Sequence, residues 1–324
     1  MSDVTSPFKP GVKSAGHVRL VSIGDAFRVV RLSLIALASW IIPVRFWSGL
    51  SSLLAGIDMR MRPEEMAARA REISRVAGTS VDFDVDMVVR ASMAAHCESQ
   101  LQHFRCYRPG GWLPETRLVG RDHIDLGLAQ GKGVVLWMSN FTFNDLVSKI
   151  ALAEAGFGVT HLSRPSHGYS ITRFGMRFLN PLQSFIEDRF LEERVKILDH
   201  GPVRALMTLR DRLQKNAVVS ITVGHQAQRV TQAPFMNGTI NLSTGPAELA
   251  RMTGAVLLPV FTVRDGTGDY CVQVGRPLGR AGTEGAEYFQ SVADEYADQL
   301  TPIVLEHPEC WKSWEMVSFE ATSS

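Results

Sequence analysis

Gly131-Lys132-Gly133-Val134-Val135-Leu136-Trp137-Met138-Ser139-Asn140-Phe141-Thr142-Phe143-Asn144-Asp145 is the stretch on which the fold turns. Val134 to Met138 is an uninterrupted apolar run after a Gly-Lys-Gly turn. That pattern fits a strand buried on both faces better than one with a wet side. Polar side chains return only at Ser139, and a helical pattern runs from about Asn144 to Ala155 before Gly156 and Gly158 close it. Val159-Thr160-His161-Leu162 then reads as a second strand. Strand, loop, helix, strand is the repeating unit of an α/β sheet.

Further strands are expected at 195–198, 217–223, 230–235, 255–263 and 270–275. Helical patterns lie near 172–180, 203–215 and 246–252, and a closing helix covers 284–304. Pro246 suits the first turn of its helix and Gly254 the position just past its end. Upstream, Val85, Val88, Val89 and Met93 recur at helical steps, and no comparable strand run appears between 21 and 130. The expected fold is therefore α/β: a mixed, mainly parallel sheet flanked by helices and preceded by an N-terminal helical region. Residues 1–20, with Pro7, Pro10 and Gly11, read as a loose tail without the order of a secretory signal. The helical region (21–130) and the α/β body (131–318) read as one continuous domain.

The chain has 324 residues, 45% hydrophobic and 21% charged, with formal charge +1, so no global field draws it to nucleic acid. Cys97, Cys106, Cys271 and Cys310 form no CxxC pair, so no metal cage is expected and the thiols are expected reduced and buried. Leu32 to Val44 carries no charge, but at about 1.5 Å per residue it spans about 20 Å, short of the ~30 Å hydrocarbon core. With Trp40, Trp47, Arg28, Arg31 and Arg45 around it, the segment reads as an in-plane membrane helix, and a buried core helix is the competing reading. Arg60, Arg62, Arg69, Arg71 and Arg75 would add attraction to anionic lipid. The interleaved Glu64, Glu65 and Glu72 fit a solvated helix face equally well.

GxxxxGK[ST], GxSxG, HExxH and a Gly-rich dinucleotide fingerprint are all absent. His161 and His167 lack partners at metal-ligand spacing. Asn140 and Asp145 straddle the loop at the carboxyl end of the first buried strand, where open α/β sheets carry their sites. The following helix start offers unpaired N–H groups for an oxyanion or phosphate.

This segment resembles the HxxxxD/E motif of glycerolipid acyltransferases, in the form found in the lipid A late (lauroyl and myristoyl) acyltransferases, with Asn140 on the histidine, Phe141 on the phenylalanine and Asp145 on the acid. Leu162-Ser163-Arg164-Pro165 is similar to that family's "YRP" segment. Phe235-Met236-Asn237-Gly238, Ser243-Thr244-Gly245-Pro246 and Ala250 to Val260 resemble its "F…G…LARxxGAxLVPV" stretch, and Pro308 to Trp314 resembles "PEQWxWxH". The resemblance covers residues 25–318. It implies transfer of a fatty acyl group from an acyl carrier protein or CoA thioester to a hydroxyl or amine of a lipid A-like or other glycolipid acceptor. It further implies no cofactor besides that co-substrate, and a peripheral or monotopic position on the cytoplasmic face of a bacterial inner membrane.

In such enzymes the histidine takes the acceptor's proton and the acid supports it; an asparagine amide is essentially non-basic. Three substitutes are expected. Asp145 would act as base if burial raised its pKa, or His225 would serve from after another strand. Alternatively, an amine acceptor would need little base, leaving Asn140 to polarise the thioester carbonyl. Arg164 is the candidate for binding phosphate, and Arg173, with Arg177, for lipid phosphate or the acidic carrier. Asn144 is a substrate-binding candidate whose ordinary role is helix capping. Pro308, Trp311 and Trp314 read as structural. The rival from another class is a catalytically inactive homologue that binds lipid or acyl chains as a partner protein.

Overall fold

The computed structural model describes residues 19–79, 81, 84–164, 166–197, 202–223, 229–264, 269–280 and 282–319. Most of the 1–20 tail, Pro165 and His225 lie outside the described residues. Helices α1 (Ile23–Ile41), α2 (Trp47–Met61), α3 (Pro63–Ala77) and α4 (Val85–Arg105) precede strand β1 (Thr116–Val119), helix α5 (Arg121–Ala129) and strand β2 (Val134–Met138). The chain then runs α6 (Val147–Glu154), β3 (Val159–Ser163), α7 (Asn180–Glu187), β4 (Glu193–Lys196), α8 (Pro202–Gln214) and β5 (Val218–Thr222). It continues with β6 (Val230–Phe235), β7 (Gly238–Ser243), α9 (Gly245–Thr253), β8 (Val256–Arg264), β9 (Tyr270–Val274), α10 (Gly285–Glu306) and β10 (Val317–Ser318).

The main sheet has seven strands in the order β1-β9-β8-β2-β5-β3-β4, with β2 central and parallel to both β5 and β8. Only β8–β9 is antiparallel, so β9 and β1 run against the other five strands. Every residue of β2 is buried, as its unbroken apolar run requires. Gly133 makes that entry possible: its φ is +77°, and a Cβ there would lie 2.7 Å from the Ala217 carbonyl oxygen. Pro246 does sit in the first turn of α9, and Gly254 ends that helix in the left-handed conformation.

Three strands, β1, β7 and β10, are not among those expected from the sequence. β1 lies inside the stretch read as mainly helical; its residues alternate between half-buried and exposed, so no apolar run marks it. β7 forms a hairpin with β6, and β10 completes a separate three-stranded sheet. The helical pattern near 172–180 becomes a π-turn at Gly175–Leu179 followed by α7, and β4 begins two residues earlier than expected.

One apolar core runs from Ala55, Met66 and Ile73 through the sheet to Trp314 and Val317, so α2 and α3 pack into the same interior as β2. Helix α1 is different. Leu32, Ile35 and Ser39 face inward, whereas Ile23, Phe27, Val30, Leu34, Leu37 and Ile41, spaced alternately by four and three residues, are each about 60% exposed or more. A fully buried core helix is thereby excluded. No described helix is long and apolar enough to cross a membrane.

Several residues expected at a lipid headgroup layer point elsewhere. Trp47 is buried against Trp112, Arg31 pairs with Asp58 at 2.9 Å, Arg28 with Asp25 at 3.1 Å, and Arg69 is buried beside Ser92. Arg45, Arg60, Arg71 and Arg75 are exposed. All four cysteines are buried thiols outside any disulfide.

Candidate active site

The motif loop leaves β2 at Ser139, whose hydroxyl hydrogen-bonds Tyr296. From there it is zipped to the segment after α10. Lys312 N donates to the Asn140 carbonyl at 3.0 Å, Thr142 N donates to the Cys310 carbonyl at 2.8 Å, and Phe141 bridges to Trp311. Trp311 and Trp314 are buried and pack edge-on with centroids 4.8 Å apart, so the Trp-rich segment is the clamp that holds the loop.

Asn140 and Asp145 are both partly accessible, and they meet consecutive residues of that clamp. Asn140 Nδ2 donates to Ser313 Oγ at 2.9 Å, and Asp145 Oδ2 lies 3.7 Å from Lys312 Nζ. The second N–H of Asn140 and its Oδ1 have no protein partner among the described residues. Burial pushes the Asp145 carboxyl up, but Lys312, His167 and Lys149 outweigh that and Glu187's opposing charge, holding it at about 2. The condition under which Asp145 would serve as base, a raised pKa, is not met: it stays ionised at neutral pH.

Behind Asp145 lies a charged cluster that sequence reasoning missed. Glu187, at the end of α7, is fully buried and takes Lys149 Nζ at 3.0 Å, Arg194 Nη2 at 2.7 Å and Gln183 Nε2 at 3.0 Å. His167 Nε2 lies 3.0 and 3.1 Å from its two oxygens. Burial lowers the His167 pKa, but Glu187 and Asp145 more than offset that burial and the charge of Lys149, so the imidazole titrates above its usual 6.5. Burial raises the Glu187 carboxyl, and His167, Lys149 and the donors around it reverse the sign, leaving it well below the ordinary range. His167, Lys149 and Arg194 come from three segments outside α7, which is why no local pattern announced the cluster.

The remaining candidates are scattered. Arg164 is exposed and lines a cavity of about 200 Å³ together with His167, Met176, Asn180, Arg194 and Lys196; neither Asn140 nor Asp145 lines it. Asn144 is buried and accepts from Thr262 Oγ1 at 3.1 Å, while α6 starts only at Val147, so it does not cap that helix. Arg173 and Arg177 are exposed near the π-turn and do not line the cavity. His161 is buried with Nδ1 2.8 Å from Ser220 Oγ, a structural partner. On α4, His96 is held down to about 3 by burial first and then by the charges of Arg31, Lys312, Arg69 and Arg62. No group of His, Cys, Asp or Glu among the described residues is arranged to hold a metal.

Comparison with known proteins matches residues 112–314 to the family model described as bacterial lipid A biosynthesis acyltransferase. The matched span begins at Trp112 and ends at Trp314, taking in the whole sheet and the clamp. Phosphatidylinositol mannoside acyltransferases of two Mycobacterium tuberculosis strains, H37Rv and CDC 1551, are each 28% identical over 256 residues, covering 77% of this chain and 75% of theirs.

Proposed function

The chain belongs to the bacterial lipid A biosynthesis acyltransferase family, and on that premise we propose that it moves a fatty acyl group from an acyl carrier protein or CoA thioester to a hydroxyl or amine of a membrane lipid or glycolipid. The observation that carries this reading is the pairing of Asn140 and Asp145 with Ser313 and Lys312 at the carboxyl end of the central strand. The mycobacterial relatives' name makes a phosphoinositol-mannose glycolipid one acceptor to test beside a lipid A precursor.

Asn140 is suited to donate its second N–H to the thioester carbonyl as negative charge develops on that oxygen. Asp145, ionised and paired with Lys312, fixes the local field without taking the proton. The acyl thioester is the co-substrate, and no other cofactor enters. The exposed apolar stripe of α1, together with the exposed Phe178 and Phe185, would lie in the lipid interface of the inner membrane on its cytoplasmic face. That position brings a lipid acceptor to the site without a membrane crossing.

Incubating the purified protein with labelled acyl carrier protein and acyl-CoA thioesters and bacterial membrane lipids tests the reading. Labelled lipid from the wild type and loss of product in Asp145→Ala are expected. No labelled lipid with any donor would contradict it and favour the rival, for which the amide at 140 is the one observation: an inactive homologue that binds lipid.

A further inference from the structure

The cavity at the carboxyl ends of β3 and β4 measures about 200 Å³. His167 is among its lining residues and is partly accessible. One edge of its ring is committed: Nε2 faces both oxygens of the fully buried Glu187 at 3.0 and 3.1 Å. A carboxylate only accepts hydrogen bonds, so the neutral imidazole keeps its proton on Nε2 and leaves the Nδ1 lone pair open. No described residue hydrogen-bonds Nδ1. Glu187 is itself immobilised by Lys149, Arg194 and Gln183. A lone pair beside a cavity, backed by a rigid carboxylate, is the base-plus-orienter arrangement that proton abstraction needs.

The same cavity presents Arg164 and Lys196, neither of which forms an ion pair with a described residue. Phosphate on an acceptor headgroup would find its charge matched there. Asp145 links this pocket to the motif loop: it pairs with Lys312, and its carboxyl also responds to the charges of His167 and Lys149.

We infer that His167, oriented by Glu187, is the general base that takes the proton from the acceptor hydroxyl, and that the cavity beside it receives a phosphate-bearing lipid headgroup. This rests on the acyl-transfer reading above. Nδ1 accepts the hydroxyl proton as the oxygen attacks the thioester carbonyl carbon. The C–S bond of the tetrahedral adduct then breaks, and the leaving thiolate takes the proton back from the imidazolium. The products are the acyl ester and the free thiol of the carrier.

The test is a pH profile of kcat/KM with thioester donor and lipid acceptor, over about pH 5 to 9, for wild type and His167→Gln. The groups around His167 and its Glu187 partner are Gln183 from α7, Asp145 and Lys149 from the motif loop and α6, Arg194 from β4, His103 from α4 at 3.7 Å from Glu187, and Arg164 and Lys196 at the cavity rim. The wild type is expected to lose activity as pH falls through a value above 6.5. His167→Gln is expected to lose about 10²–10⁴-fold and to lose that acidic limb. In His167→Ala, added imidazole is expected to restore part of the rate, a response that a purely structural role would not give. A His167→Gln rate within a few-fold of wild type, an unchanged acidic limb, or no imidazole rescue would overturn the assignment while leaving acyl transfer intact. If the wild type itself acylates nothing, the acyl-transfer reading fails instead, and the base assignment goes with it.

Discussion

At the scale of single residues, the replacement of an imidazole by an amide at position 140 divides between two places work that one side chain does in the histidine-bearing motif. In the proposed mechanism Asn140 supplies the donor and His167 the base; Asp145 pairs with Lys312 beside Asn140 and feels the charge of His167. The Asp145 carboxyl provides a direct check. In Lys312→Met the nearest cation is gone while burial still pushes the group up, so its titration should move from about 2 towards or past its ordinary 3.8; an NMR titration that stays at about 2 would contradict the pairing. Glu187 and His167 give stability opposite pH limits. The lowered Glu187 pKa contributes stability above the ordinary carboxylate range, and that contribution is lost as pH falls through its folded value. The raised His167 pKa contributes below 6.5 and is lost as pH rises through its folded value. Thermal melting across pH should therefore fall at both ends. Glu187→Gln, which leaves Lys149 and Arg194 without their anion, should cost about 3–5 kcal/mol and remove both slopes. A Glu187→Gln protein as stable as wild type would mean that the cluster is not a coupled network.

At the scale of elements, what was legible depended on whether a segment's role is written in its own residues. β2 announced itself because burial on both faces demands an unbroken apolar run, and α9 because Pro246 and Gly254 punctuate it. β1 was not legible: at the sheet edge its alternation is shallow, and its pairing partner, β9, lies far along the chain. The site divided the same way. Asn140 and Asp145 could be found from the strand-to-helix loop, whereas Ser313, Lys312 and the Glu187 cluster are assembled by long-range packing and leave no spacing to read. Helix α1 adds a third case, since its apolar run was visible but the side facing the protein was not. Asp25 holds its start, accepting from Ser170 at 2.7 Å and Thr172 at 2.8 Å, which ties the helix to the segment between His167 and the π-turn. Replacing Phe27, Leu34 and Leu37 by serine should weaken sedimentation with phospholipid vesicles, each lost side chain removing up to about 1.5–3 kcal/mol of burial, while the melting temperature holds. Unchanged vesicle binding would remove α1 from the interface.

At the scale of the whole molecule, helices α2 to α4, the sheet and the C-terminal clamp share one apolar core, and the motif loop is held from β2 on one side and from the segment after α10 on the other. That double attachment is what lets an amide, a carboxylate and a lysine keep fixed positions on a partly accessible loop. The most direct measurement is the rate of acyl transfer to lipid from a labelled thioester by wild type and by Asn140→Ala, with thermal melting confirming that both are folded. Wild type should transfer the label, and loss of one oxyanion donor should slow it by about 10²–10³-fold. Equal rates for the two proteins, or no transfer by the wild type, would contradict an oxyanion donor on the loop after β2.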